Sequence, residues 1–173
     1  MTEIFFLRHG ESEGVRRRVL QGHADYPLTD AGRAQIRCLA EHWQASGRTF
    51  DRILSSPLRR TRETAAIVAA HLGIDAPCVE PLWIERDFGA GEGVGWDTIA
   101  NWYAGRARPT AFEPIYETGE SEWQAHLRAG EAVEKLMVLG PGRYLVVSHG
   151  NILNAALHVI FGILPSGRAL PAA

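Results

Sequence analysis

Apolar and polar positions fall in alternating blocks along the chain. Ile4-Phe5-Phe6-Leu7 is an unbroken apolar run, the pattern of a short strand buried on both faces. It stops at Arg8-His9-Gly10-Glu11, and a loop rich in glycine and charge follows over 10–27. Thr29 predicts a helix cap. Ile36, Leu39, Ala40 and Trp43 then fall at i, i+3, i+4 and i+7, one face of a helix that Gly47 closes. Residues 52–55 predict a second strand. Ser56-Pro57 predicts the start of a second helix, with Ser56 as cap and Pro57 at its first position. Ala65, Val68 and Leu72 form its apolar face, Gly73 ends it, and Cys78-Val79 predicts a third, very short strand.

Residues 85–120 are the least regular, with Gly89, Gly91, Gly93 and Gly95 followed by Trp96, Trp102 and Tyr103. They predict a loop, a short helix and another loop. Ser121 caps a third long helix, running to about Leu139 on the spacing of Leu127, Val133 and Leu136. Tyr144-Leu145-Val146-Val147 is the strongest strand signal, and it ends at Ser148-His149-Gly150-Asn151, where a last helix begins and runs to about Phe161. Strands alternating with helices predict an α/β domain with a mainly parallel sheet. Ligands of such sheets bind beyond the carboxyl ends of the strands. Three polar clusters stand at those ends: Arg8-His9, Ser55-Ser56 with Arg59 and Arg60, and Ser148-His149.

Length and composition narrow the class. A chain of 173 residues suits a single domain spanning 1–173. With 46% hydrophobic and 22% charged residues it is ordinary for a soluble globular protein. A net charge of −2 supplies no basic field for nucleic acid. No apolar stretch reaches the length of a membrane span, and the run at 4–7 is too short for a signal peptide. The expectation is a cytoplasmic protein with neither nucleic-acid nor membrane partners. Cys38 and Cys78, without Cys-x-x-Cys spacing, are expected as buried free thiols.

The three polar clusters suit phosphate chemistry. Arginine forks match phosphate oxygens, helix N-termini add donors, and a neutral imidazole can attack phosphorus and hold the phosphoryl group covalently. A second histidine and the arginines would balance the charge on the equatorial oxygens, with no metal or cofactor required.

Leu7-Arg8-His9-Gly10-Glu11-Ser12 resembles the signature of the histidine phosphatase superfamily, the phosphoglycerate mutase-like family. Five further segments match in order: 22–29, 55–61, Glu85-Arg86-Asp87-Phe88-Gly89, Gly119-Glu120-Ser121 and Val147-Ser148-His149-Gly150. The resemblance spans nearly the whole chain and implies a three-layer α/β/α sandwich. It implies His9 as the phosphorylated nucleophile, Arg8 and Arg60 as phosphate-binding arginines, and His149 with Gly150 in the phosphate pocket. Glu85 takes the place of the proton donor to the leaving oxygen, and Ser12, Gln21 and Gly22 line the substrate side. Glu85 must then begin protonated, most simply through the substrate dianion and partial burial. The expected partner is a small phosphorylated metabolite, and the resemblance is compatible with a homodimer.

Two departures stand out. Val15 falls where family members usually carry an asparagine that helps hold phosphate; one lost charge-assisted bond costs on the order of 1.5–3 kcal/mol. The chain also ends at Pro171-Ala172-Ala173, where many members continue with a further strand, so a truncated C-terminal end is expected to leave a sheet edge unpaired. The leading expectation is a metal-independent phosphomonoesterase acting through phosphohistidine. Phosphoglycerate mutase, dephosphorylation of a protein phosphohistidine and a catalytically weak phospho-ligand binding module are the alternatives. A metallohydrolase using His23, Asp25 and His149 lacks any recognisable ligand spacing. Arg16-Arg17-Arg18 reads equally as a second anion site or a solvated charge run, and Trp96, Trp102 and Tyr103 as a packed cap. His23, His42, His71, His126 and His158 read as surface or core residues, and Glu85 as an exposed loop glutamate beside Arg86 if it is not the acid.

Overall fold

The computed structural model describes residues 1–102 and 109–166. In chain order the elements are β1 (Thr2–Arg8), α1 (Glu13–Arg16), α2 (Asp30–Ala45), β2 (Arg52–Ser55), α3 (Arg59–Leu72), β3 (Cys78–Val79), α4 (Trp96–Trp102), α5 (Glu122–Val138), β4 (Gly142–Ser148) and α6 (Gly150–Phe161). Single 3-10 turns occupy Pro81–Trp83 and Gly89–Gly91. The strands form one parallel sheet in the order β1-β4-β2-β3.

Side-chain alternation along β4 creates the two cores. Tyr144 and Val146 join Leu54, Ala129, Ala132, Leu136, Ile152 and Ala156 beneath α5 and α6. Leu145 and Val147 join Ile36, Ala40, Ile53, Ala65 and Val68 beneath α2 and α3. Strand β1 repeats the alternation, with Ile4 and Phe6 against the first core and Phe5 and Leu7 against the second. The result is the parallel-sheet α/β domain that the alternation of elements predicts, in the three-layer α/β/α form that the resemblance implies.

Several local expectations are corrected. β1 is an edge strand among the described residues and is half-buried rather than enclosed; the enclosed strand is β4. The loop over 10–27 contains helix α1. Helix α3 begins at Arg59, two residues later than Ser56-Pro57 predicts, and Ser56 does not cap it. Asp25, from the opposite loop, takes the Arg59 N–H on Oδ1 at 2.6 Å. Leu127 is 59% exposed, since the inward face of α5 is built from small residues, Ala125, Ala129 and Ala132, with Leu136. Cys38 and Cys78 are free as expected but exposed, because they lie on the outer side of α2 and on the two-residue edge strand β3. Thr29 caps α2 on the Gly32 N–H, and Ser121 caps α5 in a reciprocal capping box with Gln124. None of the described helices is long and apolar enough to cross a membrane. Tyr103 and the C-terminal 171–173 lie outside the described residues.

Candidate active site

The sheet register assembles the site. Arg8 pairs with Ser148 and Ser55 with Val147, so β1, β4 and β2 end at one level. The His9 N–H continues the ladder to the Ser148 carbonyl at 3.1 Å, and the Ser56 N–H to the Val147 carbonyl at 3.1 Å. His9, His149 and Ser56 therefore leave adjacent strands together, where β4 inserts between β1 and β2 and the strand order reverses.

His9 donates from Nδ1 to the Gly10 carbonyl at 2.7 Å, which leaves the Nε2 lone pair unused by that bond. A side chain at position 10 is excluded, since a Cβ there would stand 2.7 Å from the Gly32 carbonyl oxygen. The imidazole is nearly closed to solvent, and burial pushes it down to about 3. The Gly10 hydrogen bond opposes that shift, while the positive charges of Arg60 and Arg8 add to it. His149 faces it edge-on, ring centroids 5.3 Å apart. It too is driven well below its ordinary value, first by burial and then by Arg60.

Arg60 is 1% exposed, whereas Arg59 and Arg62 are on the surface. Its Nε–H donates to His149 Nδ1 at 3.2 Å, Nη1 to the Ala24 carbonyl at 2.9 Å and Nη2 to the Gly22 carbonyl at 2.8 Å. Burial lowers it to about 10, against the opposing charges of Glu85, Asp25 and Glu92, so the guanidinium keeps its proton at neutral pH. Because Nδ1 of His149 accepts, the neutral ring carries its proton on Nε2, which donates to Ser56 Oγ at 2.7 Å. Ser56 is thus a site residue rather than the cap expected of it, and a Ser-Pro pair holds no signal that separates the two roles. Arg8 reaches over the start of α6, its guanidinium carbon 3.8 Å from where a Cβ on Gly150 would stand.

Glu85 is buried, so the reading of an exposed loop residue does not hold. Its carboxylate accepts from the backbone of Arg86 at 2.9 Å and Ile152 at 3.2 Å, and from the Asn151 N–H and Nδ2 at 3.4 and 3.3 Å. It therefore sits on the first turn of α6. That loop is tightly organised. Ser12 Oγ donates to Gln21 Oε1 at 2.7 Å. Gly22 has φ +51°, and a Cβ on it would lie 2.0 Å from Glu92 Oε1. Glu92 accepts from the His23 N–H at 2.7 Å and the Ala24 N–H at 2.9 Å. Glu92 is missing from the sequence-derived set; a lone acid within a glycine run was its only sequence signal.

His23, read as an ordinary histidine, donates from Nε2 to the Glu85 carbonyl at 2.7 Å and so joins the Gly22 loop to the Glu85 segment. With His23 and Asp25 engaged in this way and His149 between Arg60 and Ser56, the three imagined metal ligands do not converge. Among the described residues no group of three His, Cys, Asp or Glu side chains is placed to hold a metal ion. In the Arg16-Arg17-Arg18 run, Arg16 pairs with Glu13 and Arg18 with Asp97, and Arg17 stacks over the Tyr26 ring. Trp96 lies under the Arg18 guanidinium. Val15 lies half-buried in α1.

The carboxyl rim of the parallel sandwich thus carries two buried histidines and two arginines. The chain belongs to the histidine phosphatase superfamily (branch 1), whose family model matches residues 4–170. It is 34% identical over 167 residues to a probable phosphoglycerate mutase, GpmB, of Cronobacter sakazakii, covering 94% of this chain and 76% of that one. In structure it is similar to a mycobacterial glucosyl-3-phosphoglycerate phosphatase solved with VO3, at TM-score 0.80 and 25% identity over 94% of this chain and 82% of that one. A phosphoserine phosphatase of Entamoeba histolytica solved with 3-phosphoglyceric acid matches at TM-score 0.79 and 25% identity, over 94% of this chain and 81% of that one.

Proposed function

We propose that this protein is a metal-independent phosphomonoesterase that hydrolyses small phosphate esters through a phosphohistidine at His9. The observation that carries the reading is the His9 tautomer. Its Nδ1–H is committed to the Gly10 carbonyl and its imidazole is neutral, which leaves Nε2 as a nucleophilic lone pair among cationic donors. In the first step Nε2 bonds to phosphorus as the ester P–O bond breaks, and Glu85 gives its proton to the departing alkoxide oxygen. In the second, water attacks phosphorus, its proton passes to Glu85, and the P–N bond breaks to release phosphate and restore neutral His9. Arg8 and Arg60 stabilise the transferring phosphoryl group, and His149, held between Arg60 and Ser56, packs edge-on against the His9 ring, with Gly150 beside Arg8 at the start of α6. Ser12, Gln21 and Gly22 shape the wall facing the rest of the substrate.

The likeness to probable phosphoglycerate mutases supports a second reading, in which phospho-His9 is kept from water and handed back to a phosphoglycerate. Phosphate release from p-nitrophenyl phosphate, with EDTA present, tests the first reading against His9→Ala. Release that survives EDTA and vanishes in His9→Ala is the expected result. No release from the unaltered protein overturns it. Isomer formation from a phosphoglycerate in the presence of 2,3-bisphosphoglycerate then establishes the mutase, and phosphate-ester binding without turnover establishes a recognition module.

A further inference from the structure

We infer that Arg128, on helix α5 and outside the phosphate pocket, is the positioning residue for the proton-donating carboxyl of Glu85. The inference rests on the reading of Glu85 as proton donor.

Glu85 is carried by a segment, 82–85, that belongs to no strand and leaves the sheet beyond β3. Backbone carbonyls in such a segment must find partners or lose free energy on burial. Here every one is received by a side chain. Arg128 Nη1 donates to the Leu82 carbonyl at 2.8 Å and to the Ile84 carbonyl at 2.7 Å, and Nη2 to the Glu85 carbonyl at 3.2 Å. Ser148 Oγ donates to the Trp83 carbonyl at 2.6 Å, and His23 Nε2 gives the Glu85 carbonyl a second bond at 2.7 Å. The two remaining Arg128 protons go to Glu120, from Nε to Oε1 at 2.8 Å and from Nη2 to Oε2 at 2.6 Å.

All five guanidinium N–H groups are thus used, three on the backbone that ends in Glu85 and two on a carboxylate that holds the fork in plane. Burial alone would raise the Glu120 carboxyl, but the Arg128 hydrogen bonds and charge, with the Asp87 N–H, outweigh it and hold it below its ordinary value. Glu120 therefore remains the anion the fork requires. The Glu120 backbone also ties to the same region, donating to the Asp87 carbonyl at 2.9 Å and accepting from Arg86 Nε at 3.0 Å. Lysine cannot reproduce this arrangement, because one ammonium has three donors and no fixed plane. A shift of about 1 Å in a catalytic group is enough to cost on the order of 10²-fold in rate.

A positioning role differs from a merely stabilising one in its dependence on the leaving group. Proton donation matters for an alkoxide and hardly at all for p-nitrophenolate. The test is rapid-quench single-turnover phosphorylation of His9 in the full chain, comparing an alkyl phosphate with p-nitrophenyl phosphate, in Arg128→Lys and in Glu85→Gln. Arg128→Lys is expected to slow phosphoryl transfer from the alkyl ester by about 10²-fold, within the range general acids supply. Transfer from the nitrophenyl ester should fall several-fold at most. With the nitrophenyl ester phosphohistidine should accumulate, because formation is nearly unaffected while the water-activating half of the cycle uses the same carboxylate.

Equal loss on both esters, or no loss on either, overturns the inference. If Arg128→Lys does not fold, Glu120→Gln, which keeps the three carbonyl bonds and weakens only the fork, replaces it. A smaller loss confined to the alkyl ester supports the inference, and a uniform or absent loss overturns it. Glu85→Gln separates the two levels. If it shows no leaving-group selectivity, Glu85 is not the proton donor. If it does and the Arg128 and Glu120 variants do not, only the positioning role fails.

Discussion

Arg60 Nε donates to Nδ1 of His149 across 3.2 Å, between two side chains both closed to solvent. The same guanidinium reaches the Gly22 and Ala24 carbonyls, so one residue sets the tautomer of the second histidine and the position of the substrate loop. Arg60→Lys keeps the charge and loses the planar fork. It is expected to lower kcat/KM for a phosphomonoester by at least about 10²-fold, in line with the loss of an electrostatic donor at a reacting group. Steady-state phosphate release measures this, and a loss below tenfold would show that charge alone is what position 60 supplies.

The large features of this protein were legible because they arise from local, repeated patterns. The 144–147 run became the enclosed strand, and Thr29 and Ser121 became caps, since strand burial and helix capping depend on a few adjacent residues. The clusters at the strand ends were legible from the order of elements, the resemblance supplied their roles, and the register shows why they converge. What escaped the sequence were contacts between distant segments. Asp25 caps α3 from 34 residues away, and Arg128 reaches Glu85 from 43. Ser56 misled because its best local role lost to His149, a partner 93 residues on. No periodicity encodes such pairings; they exist only once the sheet has set its order.

Gly22 and Glu92 test the organisation of the substrate loop. Gly22 holds a left-handed φ of +51°, and a Cβ would overlap Glu92 Oε1. Alanine there pays about 1 kcal/mol for the backbone alone and must also displace the carboxylate that takes the His23 and Ala24 N–H groups. Gly22→Ala is expected to raise KM for phosphate esters about tenfold or more and to lower the melting temperature by several degrees. An unchanged KM, measured by substrate titration, would mean that the loop does not face the substrate.

Val15 offers a gain-of-function test. The resemblance implies an amide donor at this position, near the phosphate, and Val15→Asn would supply one. A hydrogen bond to a charged group contributes about 1.5–3 kcal/mol, so Val15→Asn is expected to raise kcat/KM by about tenfold or more. The measurement is phosphate release under subsaturating substrate. A neutral or damaging effect would mean that the pocket is already complete, its donors being Arg8 and Arg60.

The two buried histidines make stability depend on pH in a defined direction. In the unfolded chain an imidazole takes up its proton near 6.5, whereas His9 in the fold resists protonation down to about 3 and His149 is depressed as well. Between those values the unfolded state binds protons that the native state refuses. Stability therefore rises with pH through this window and is lost as pH falls from about 6.5. Each such histidine contributes a slope of up to about 1.4 kcal/mol per pH unit. The interval from 6.5 to 5 lies above the range in which ordinary carboxylates titrate, and His126, also lowered by burial, adds the same slope to the unaltered protein and to His9→Gln. Urea unfolding at pH 6.5, 5.75 and 5 is expected to show a steep loss in the unaltered protein and a visibly shallower one in His9→Gln, whose amide has no proton to take up. An identical slope in the two proteins would mean that His9 titrates in the folded state near its ordinary value. In that case nitrogen-detected imidazole spectra should show a cationic His9 ring at pH 5, which a nucleophile with a free Nε2 lone pair cannot have.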